Sequence, residues 1–226
     1  MPDFASCVGC GACADACPTT ALELLGKTMT AEEVLEEVVK DKAFYAHSGG
    51  GLTLSGGEPA MQPEFALAVL RGAKEAGIHT AIETAGHIDW KVYESFLPWL
   101  DMVLFDIKHM DPEKHKVLTG QDNIKIHGNL RQLTKADKKV EVIVRTPVIP
   151  GCNDDPESFA ALADFLHSLD RMPTVNVLPY NPLAGSKHPR IGMEYGLEGT
   201  KEEDGVSPDT LCAQLCAAGI DAKVLR

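Results

Sequence analysis

Short apolar runs of strand length alternate with amphipathic runs of helix length along most of this chain. That alternation restricts it to few architectures. Residues 52–54, 78–82, 102–105, 140–144, 175–178 and 222–225 read as strands. Helical patterns at about 63–76, 89–97, 111–118, 123–135, 155–169 and 207–218 separate them, the fifth opened by Asp154. An earlier helix starts at Thr30, with Glu33 three residues on as a capping-box partner and Val34, Leu35, Val38 and Val39 as its apolar stripe. Strands that alternate with helices of this length predict βαβ units and a parallel sheet. A closed eight-stranded barrel takes about 250 residues. This chain has 226 and spends its first 26 on a loop-rich, cysteine-bearing stretch. Six strands therefore predict an α/β fold, a partial, open (β/α) barrel over 27–226, with its site at the C-terminal ends of the strands.

Residues 7–18 read Cys-Val-Gly-Cys-Gly-Ala-Cys-Ala-Asp-Ala-Cys-Pro. This C-x2-C-x2-C-x3-C-P spacing is that of bacterial [4Fe–4S] ferredoxins, and it makes 1–26 a ferredoxin-like iron–sulfur segment. The residues between the thiols are mostly small, which lets backbone wrap closely around a cubane. Cys7, Cys10, Cys13 and Cys17 are the expected ligands; a zinc site and chance spacing are the competing readings. In two-cluster ferredoxins the cysteine before the proline serves the other cluster, so Cys17 either closes its own cluster or awaits three further ligands.

The strand ends carry the polar residues. Ser55-Gly56-Gly57-Glu58-Pro59 follows the first strand. Its paired glycines let a ligand approach the backbone, and Glu58 can accept hydrogen bonds from an amine. A plain tight turn reads the same way. Later strands end at Glu83-Thr84-Ala85-Gly86, Asp106-Ile107-Lys108, Arg145 and Tyr180-Asn181. Converging at one mouth, such groups would suit a zwitterion; the bland reading is surface charge at loop starts. His87, His109, His115 and His127 have no metal-ligand spacing and are expected at the surface or in loops. Cys212 and Cys216 share a helix face and read as small core hydrophobes.

Composition excludes several classes. A net charge of −12 argues against a nucleic-acid partner. Lys138 and Lys139, the nearest approach to a basic patch, read as a turn entering a strand. Glu32, Glu33, Glu36 and Glu37 and the 194–204 segment read as solvated acidic faces. No run approaches about 18 apolar residues, so no membrane span is expected. The opening Met1-Pro2-Asp3-Phe4 has no export-signal pattern, and a cytoplasmic location is the expectation.

The cysteine run, Lys27-Thr28-Met29-Thr30, Leu54-Ser55-Gly56-Gly57-Glu58-Pro59, Phe105-Asp106-Ile107-Lys108-His109-Met110-Asp111, Val148-Ile149-Pro150-Gly151 and Leu178-Pro179-Tyr180-Asn181 occur in this order. Together they resemble the radical S-adenosylmethionine (SAM) activating enzymes of glycyl radical enzymes, in the subgroup with ferredoxin-like cysteine insertions. The resemblance spans roughly residues 5–225. It implies a partial barrel that holds SAM against a [4Fe–4S] cluster, an electron from a low-potential donor such as flavodoxin or ferredoxin, and a hydrogen taken from a glycine of a partner glycyl radical enzyme. Carried over by position, Gly56, Gly57 and Glu58 would hold the SAM amino group, and Lys108 and Arg145 would face its carboxylate or ribose. Glu83 and Thr84 would border the pocket, and Asn181 stands where many relatives place a histidine near the adenine. The family's C-x3-C-x2-C loop, which holds the SAM-binding cluster after a first strand, is not found in these 226 residues. The chain is accordingly expected to begin partway through the insertion, to be the C-terminal part of an activating enzyme, and to be inactive alone. The alternative is a standalone iron–sulfur electron-transfer or partner-binding protein without SAM chemistry.

Overall fold

The computed structural model describes residues 6–136, 139–188 and 192–226. Met1–Phe4 and Lys138, which figure in the expectations above, lie outside them. A single helical turn, α1 (Ala12–Asp15), sits within the cysteine run, and no residue from 6 to 30 is buried. Helix α2 (Ala31–Lys40) follows. Its capping box forms as its sequence requires: Thr30 Oγ1 accepts the Glu33 N–H at 3.2 Å, and Glu33 accepts the Thr30 N–H at 2.7 Å. A second helix, α3 (Lys42–Ser48), continues from it around Asp41. Sequence periodicity gave no sign of α3, because KAFYAHS is too short for an apolar stripe and has no capping side chain.

Strands β1 (Gly51–Leu54), β2 (His79–Thr84), β3 (Met102–Asp106), β4 (Glu141–Pro147), β5 (Thr174–Leu178) and β6 (Ala222–Val224) form one open sheet. All neighbours are parallel, and their order is the order in sequence. The connections carry α4 (Pro63–Glu75), α5 (Trp90–Phe96), α6 (Pro112–Thr119), α7 (Ile124–Lys135), α8 (Pro156–His167) and α9 (Pro208–Ala217). Parallel neighbours joined by right-handed crossovers put their helices on one side of the sheet.

That one-sidedness is visible in the burial. Ile82, Val103, Phe105, Val142, Val144, Val175 and Val177 are buried with Leu70, Phe96, Leu130, Phe159, Leu166 and Leu211 of the helices in one core. Alternate residues of β3 and β4, Leu104 and Ile143 among them, are only half-buried, and Thr53 of β1 is exposed. Strands of a doubly covered parallel sheet are apolar throughout. The alternation in β3 and β4 therefore marks an inner face without a helical cover.

Three expectations need correction. Asp155, not Asp154, caps α8, accepting the Ser158 N–H at 2.8 Å. Asp154 instead ties the preceding loop by accepting from Gly151 and Val206 N–H groups. His127, expected at the surface or in a loop, is half-buried on α7; His109, in a loop as expected, and His115, on α6, are both buried. The rings of the latter two fold back onto nearby backbone: His109 Nδ1 accepts the Asp111 N–H, and His115 Nδ1 meets the Gln121 carbonyl. Cys212 is buried as expected, but Cys216 is exposed.

Candidate functional site

The register of the sheet builds a polar row on its inner face. Asp106 of β3 lies beside Arg145 of β4, and Arg145 beside Asn176 of β5. Glu83 sits one step deeper on the same face of β2, opposite Leu104. The Arg145 guanidinium turns toward β2 and β3. Its Nε and Nη2 donate to Asp106 Oδ1 at 3.0 and 2.8 Å, and Nη2 reaches Glu83 Oε1 at 2.5 Å. Lys108 Nζ meets the other Asp106 oxygen at 3.1 Å. Two carboxylates and two cations thus share one site, with Arg145 the most enclosed. The Arg145 hydrogen bond holds the Glu83 carboxyl below its ordinary range. Burial opposes the charge on Arg145, but the Glu83 and Asp106 carboxylates outweigh it and raise its pKa. On the far side Asn176 Oδ1 is buried with no hydrogen-bond partner, and the Arg145 guanidinium bonds to Asp106 and Glu83 instead.

Glu58 closes the mouth of this row. Its side chain accepts the Ala85 N–H at 2.9 Å, the Ala60 N–H at 3.3 Å and the Thr84 hydroxyl at 2.9 Å to each oxygen. It thereby caps the short 3-10 turn Pro59–Met61 and joins the ends of β1 and β2. Gly56 and Gly57 precede it, both exposed, and a side-chain Cβ at either would meet nothing within 4 Å. Packing does not call for a glycine at 57, and the bare backbone there leaves room for a ligand. At 56 the backbone itself demands one, with φ at +109°. Asn181 is exposed and spends its side-chain oxygen on the Leu183 N–H, capping the 3-10 turn after β5.

Three buried asparagines pin the loops of this mouth. Asn129 Nδ2 donates to the carbonyls of Gly86 and Ile88, after β2. Asn123 Nδ2 donates to those of His109 and Met110, after β3. Asn153 Nδ2 donates to Lys108 and Pro147, linking the loops after β3 and β4. Sequence reasoning missed all three and Asn176 as well, because their partners are backbone groups or neighbouring strands that no spacing reveals.

Glu58, Thr84, Glu83, Lys108 and Arg145 thus lie around one mouth. The cysteines are not gathered: Cys7, Cys10 and Cys13 are exposed free thiols and Cys17 is half-buried. Among the described residues no three histidine, cysteine or carboxylate side chains are grouped to hold a metal ion. The donor set nonetheless suits an iron–sulfur cluster. All four thiols are free, and the Cys17 thiol is brought down to about 7 by hydrogen bonds from the Leu22 backbone, the Thr19 hydroxyl and the Thr19 backbone. Thiolate is the metal-binding form.

Comparison with known proteins shows the family. Residues 6–165 match the radical SAM superfamily. The isethionate sulfite-lyase activating enzyme of Oleidesulfovibrio alaskensis is 47% identical over 187 residues, covering 82% of this chain and 60% of that protein. The chain thus spans about three fifths of that relative's length. The pyruvate formate-lyase-activating enzyme of Clostridium pasteurianum is 36% identical over 198 residues, covering 87% of this chain and 82% of its own. A crystallised domain of the pyruvate-formate lyase-activating enzyme from Bacteroides vulgatus superposes with a TM-score of 0.64 at 29% identity, over 78% of this chain and 99% of that domain. The chain belongs to the radical SAM superfamily, among the activating enzymes of glycyl radical enzymes.

Proposed function

We propose that residues 27–226 hold S-adenosylmethionine on the polar inner face of the sheet and that residues 1–26 carry one [4Fe–4S] cluster on Cys7, Cys10, Cys13 and Cys17. The parent activity is the installation of a glycyl radical on a partner enzyme, with the electron drawn from a low-potential donor such as flavodoxin or ferredoxin. The observation that supports this reading is the Glu83–Arg145–Asp106–Lys108 row on the inner face, with Glu58 bonded to Thr84 and Ala85 at the end of β2, next along the chain from Glu83. Carboxylates for an ammonium group and cations for a carboxylate stand within one mouth.

When bound, a cluster on Cys7, Cys10, Cys13 and Cys17 would supply one-electron transfer capacity, and SAM would supply the reactive sulfonium. The residues of this chain do the rest by binding and orienting. Glu58 receives the ligand ammonium, approached over the bare backbone of Gly56 and Gly57. Lys108 is the more open of the two cations and meets the ligand carboxylate or ribose. Arg145 fixes Glu83 and Asp106 as acceptors. Thr84 supports Glu58, Asn181 borders the adenine, and Asn176 offers a buried acceptor beside them.

The test is calorimetric titration of the full chain with S-adenosylhomocysteine. The wild-type chain is expected to bind it, and Glu58→Gln to bind about tenfold or more weakly, since a charge-assisted hydrogen bond contributes about 1.5–3 kcal/mol. A wild-type chain that does not bind would overturn the reading.

A further inference from the structure

Thr84 stands between Glu58 and a tyrosine that the proposed ligand site does not reach. Its Oγ1 lies 2.9 Å from both oxygens of Glu58, 2.5 Å from Tyr93 Oη and 3.1 Å from the Gly86 nitrogen. The protons on these groups can be placed by elimination. An ionised carboxylate only accepts, and the backbone N–H only donates. The single hydroxyl proton of Thr84 must therefore point at Glu58, or two lone pairs would face each other there. Tyr93 must then donate to Thr84, which accepts from Tyr93 and Gly86 and gives to Glu58. Tyr93 is buried on α5, 3% exposed, with its ring in the core beside Phe96. Burial, reinforced by the charge on Glu58, raises its phenol well above the ordinary value, so the donor keeps its proton through the neutral range.

We propose that Tyr93 is a positioning residue for ligand binding: through Thr84 it fixes the rotamer and lone pairs of Glu58 that receive the ammonium group of an amino-acid-bearing adenosyl ligand. This rests on the reading of Glu58 given above. Tyr93 touches no ligand itself. Its effect falls on the amino-acid end of the ligand and leaves the nucleoside end alone.

Two probes separate those ends. S-adenosylhomocysteine carries the ammonium and carboxylate; methylthioadenosine has the same nucleoside and neither charge. Tyr93→Phe keeps the ring in the core and removes only the hydroxyl. It is expected to weaken S-adenosylhomocysteine about three- to tenfold, the usual effect of one hydrogen bond, and to leave methylthioadenosine unchanged. In a Thr84→Val background, where the link is already cut, Tyr93→Phe should have no further effect. Thr84→Ser, which keeps the hydroxyl, should bind as wild type does. Equal loss for both probes, no loss for either, or a full additional loss in the Thr84→Val background would overturn the proposal. A wild-type chain that binds methylthioadenosine but not S-adenosylhomocysteine would remove the role of Glu58, and that of Tyr93 with it.

Discussion

The amide of Asn176 sets one requirement against another. Its side chain is 6% exposed, and its buried Oδ1 has no partner. An unsatisfied buried acceptor costs about 1–3 kcal/mol, whereas an apolar group of similar shape costs nothing comparable. Asn176→Leu should therefore leave urea-unfolding stability unchanged or raise it by about 1 kcal/mol while weakening S-adenosylhomocysteine binding. A loss of stability with binding intact would make Asn176 a structural residue. At Gly86 the constraint is steric. A Cβ there would lie 2.3 Å from Phe105 Cζ at a φ of +78°, so the chain after β2 turns against an aromatic ring where only glycine fits. The glycine was legible as a strand-end residue, but the ring that requires it lies on another strand.

Among the elements, the strands extend beyond their sequence signals because their last residues are polar. Glu83, Thr84, Asp106 and Arg145 belong to β2, β3 and β4, yet each reads as the start of a loop once apolarity defines a strand. Glu83, Asp106 and Arg145 are tolerated because the inner face has no helix over it, whereas Thr84 lies on the covered face and is tolerated because its hydroxyl is bonded to Glu58 and Tyr93. Helices α4 to α9 were legible to within a residue or two, as their apolar stripes and caps are local, whereas the short α1 and α3 were not. Helix α7 also carries a pH dependence. His127 stacks on Phe165 at 4.7 Å between ring centroids, and burial, aided by His115 and Arg131, lowers its pKa to about 4. In the unfolded chain a histidine takes its proton near 6.5. The unfolded state thus binds more protons below that value, and stability present above pH 6.5 is lost progressively down to about pH 4. In urea titrations from pH 8 to 4.5, His127→Phe should lose less stability than the wild type over this window. Parallel declines would show that His127 is not the group responsible.

For the whole molecule, the core and the cysteine segment are independent. No residue from 6 to 30 is buried, so the thiols can be altered without disturbing the sheet. Cys10→Ala should abolish cluster uptake on anaerobic reconstitution while thermal unfolding stays as in the wild type; a large fall in melting temperature would make the segment structural. The wild-type 226-residue chain, so treated, should take up one [4Fe–4S] cluster and release no 5′-deoxyadenosine from SAM, since its sequence has no C-x3-C-x2-C run. Appreciable release would assign the catalytic role to thiols among Cys7, Cys10, Cys13 and Cys17. The parallel α/β plan and the mouth of the site could be read from sequence because strand ends announce themselves by a change in polarity. The asparagine pins could not, since each spans loops brought together only by folding; Asn129 and Gly86 are 43 residues apart.

Strand order that matches chain order has a kinetic consequence. Each βα unit adds beside the one made just before it, so no strand must wait for a distant partner or be inserted between two others. Loop-closure entropy is then met one crossover at a time. Such a sheet can assemble during synthesis at the pace of the ribosome, growing at one edge while the outer edge of β1 stays fixed.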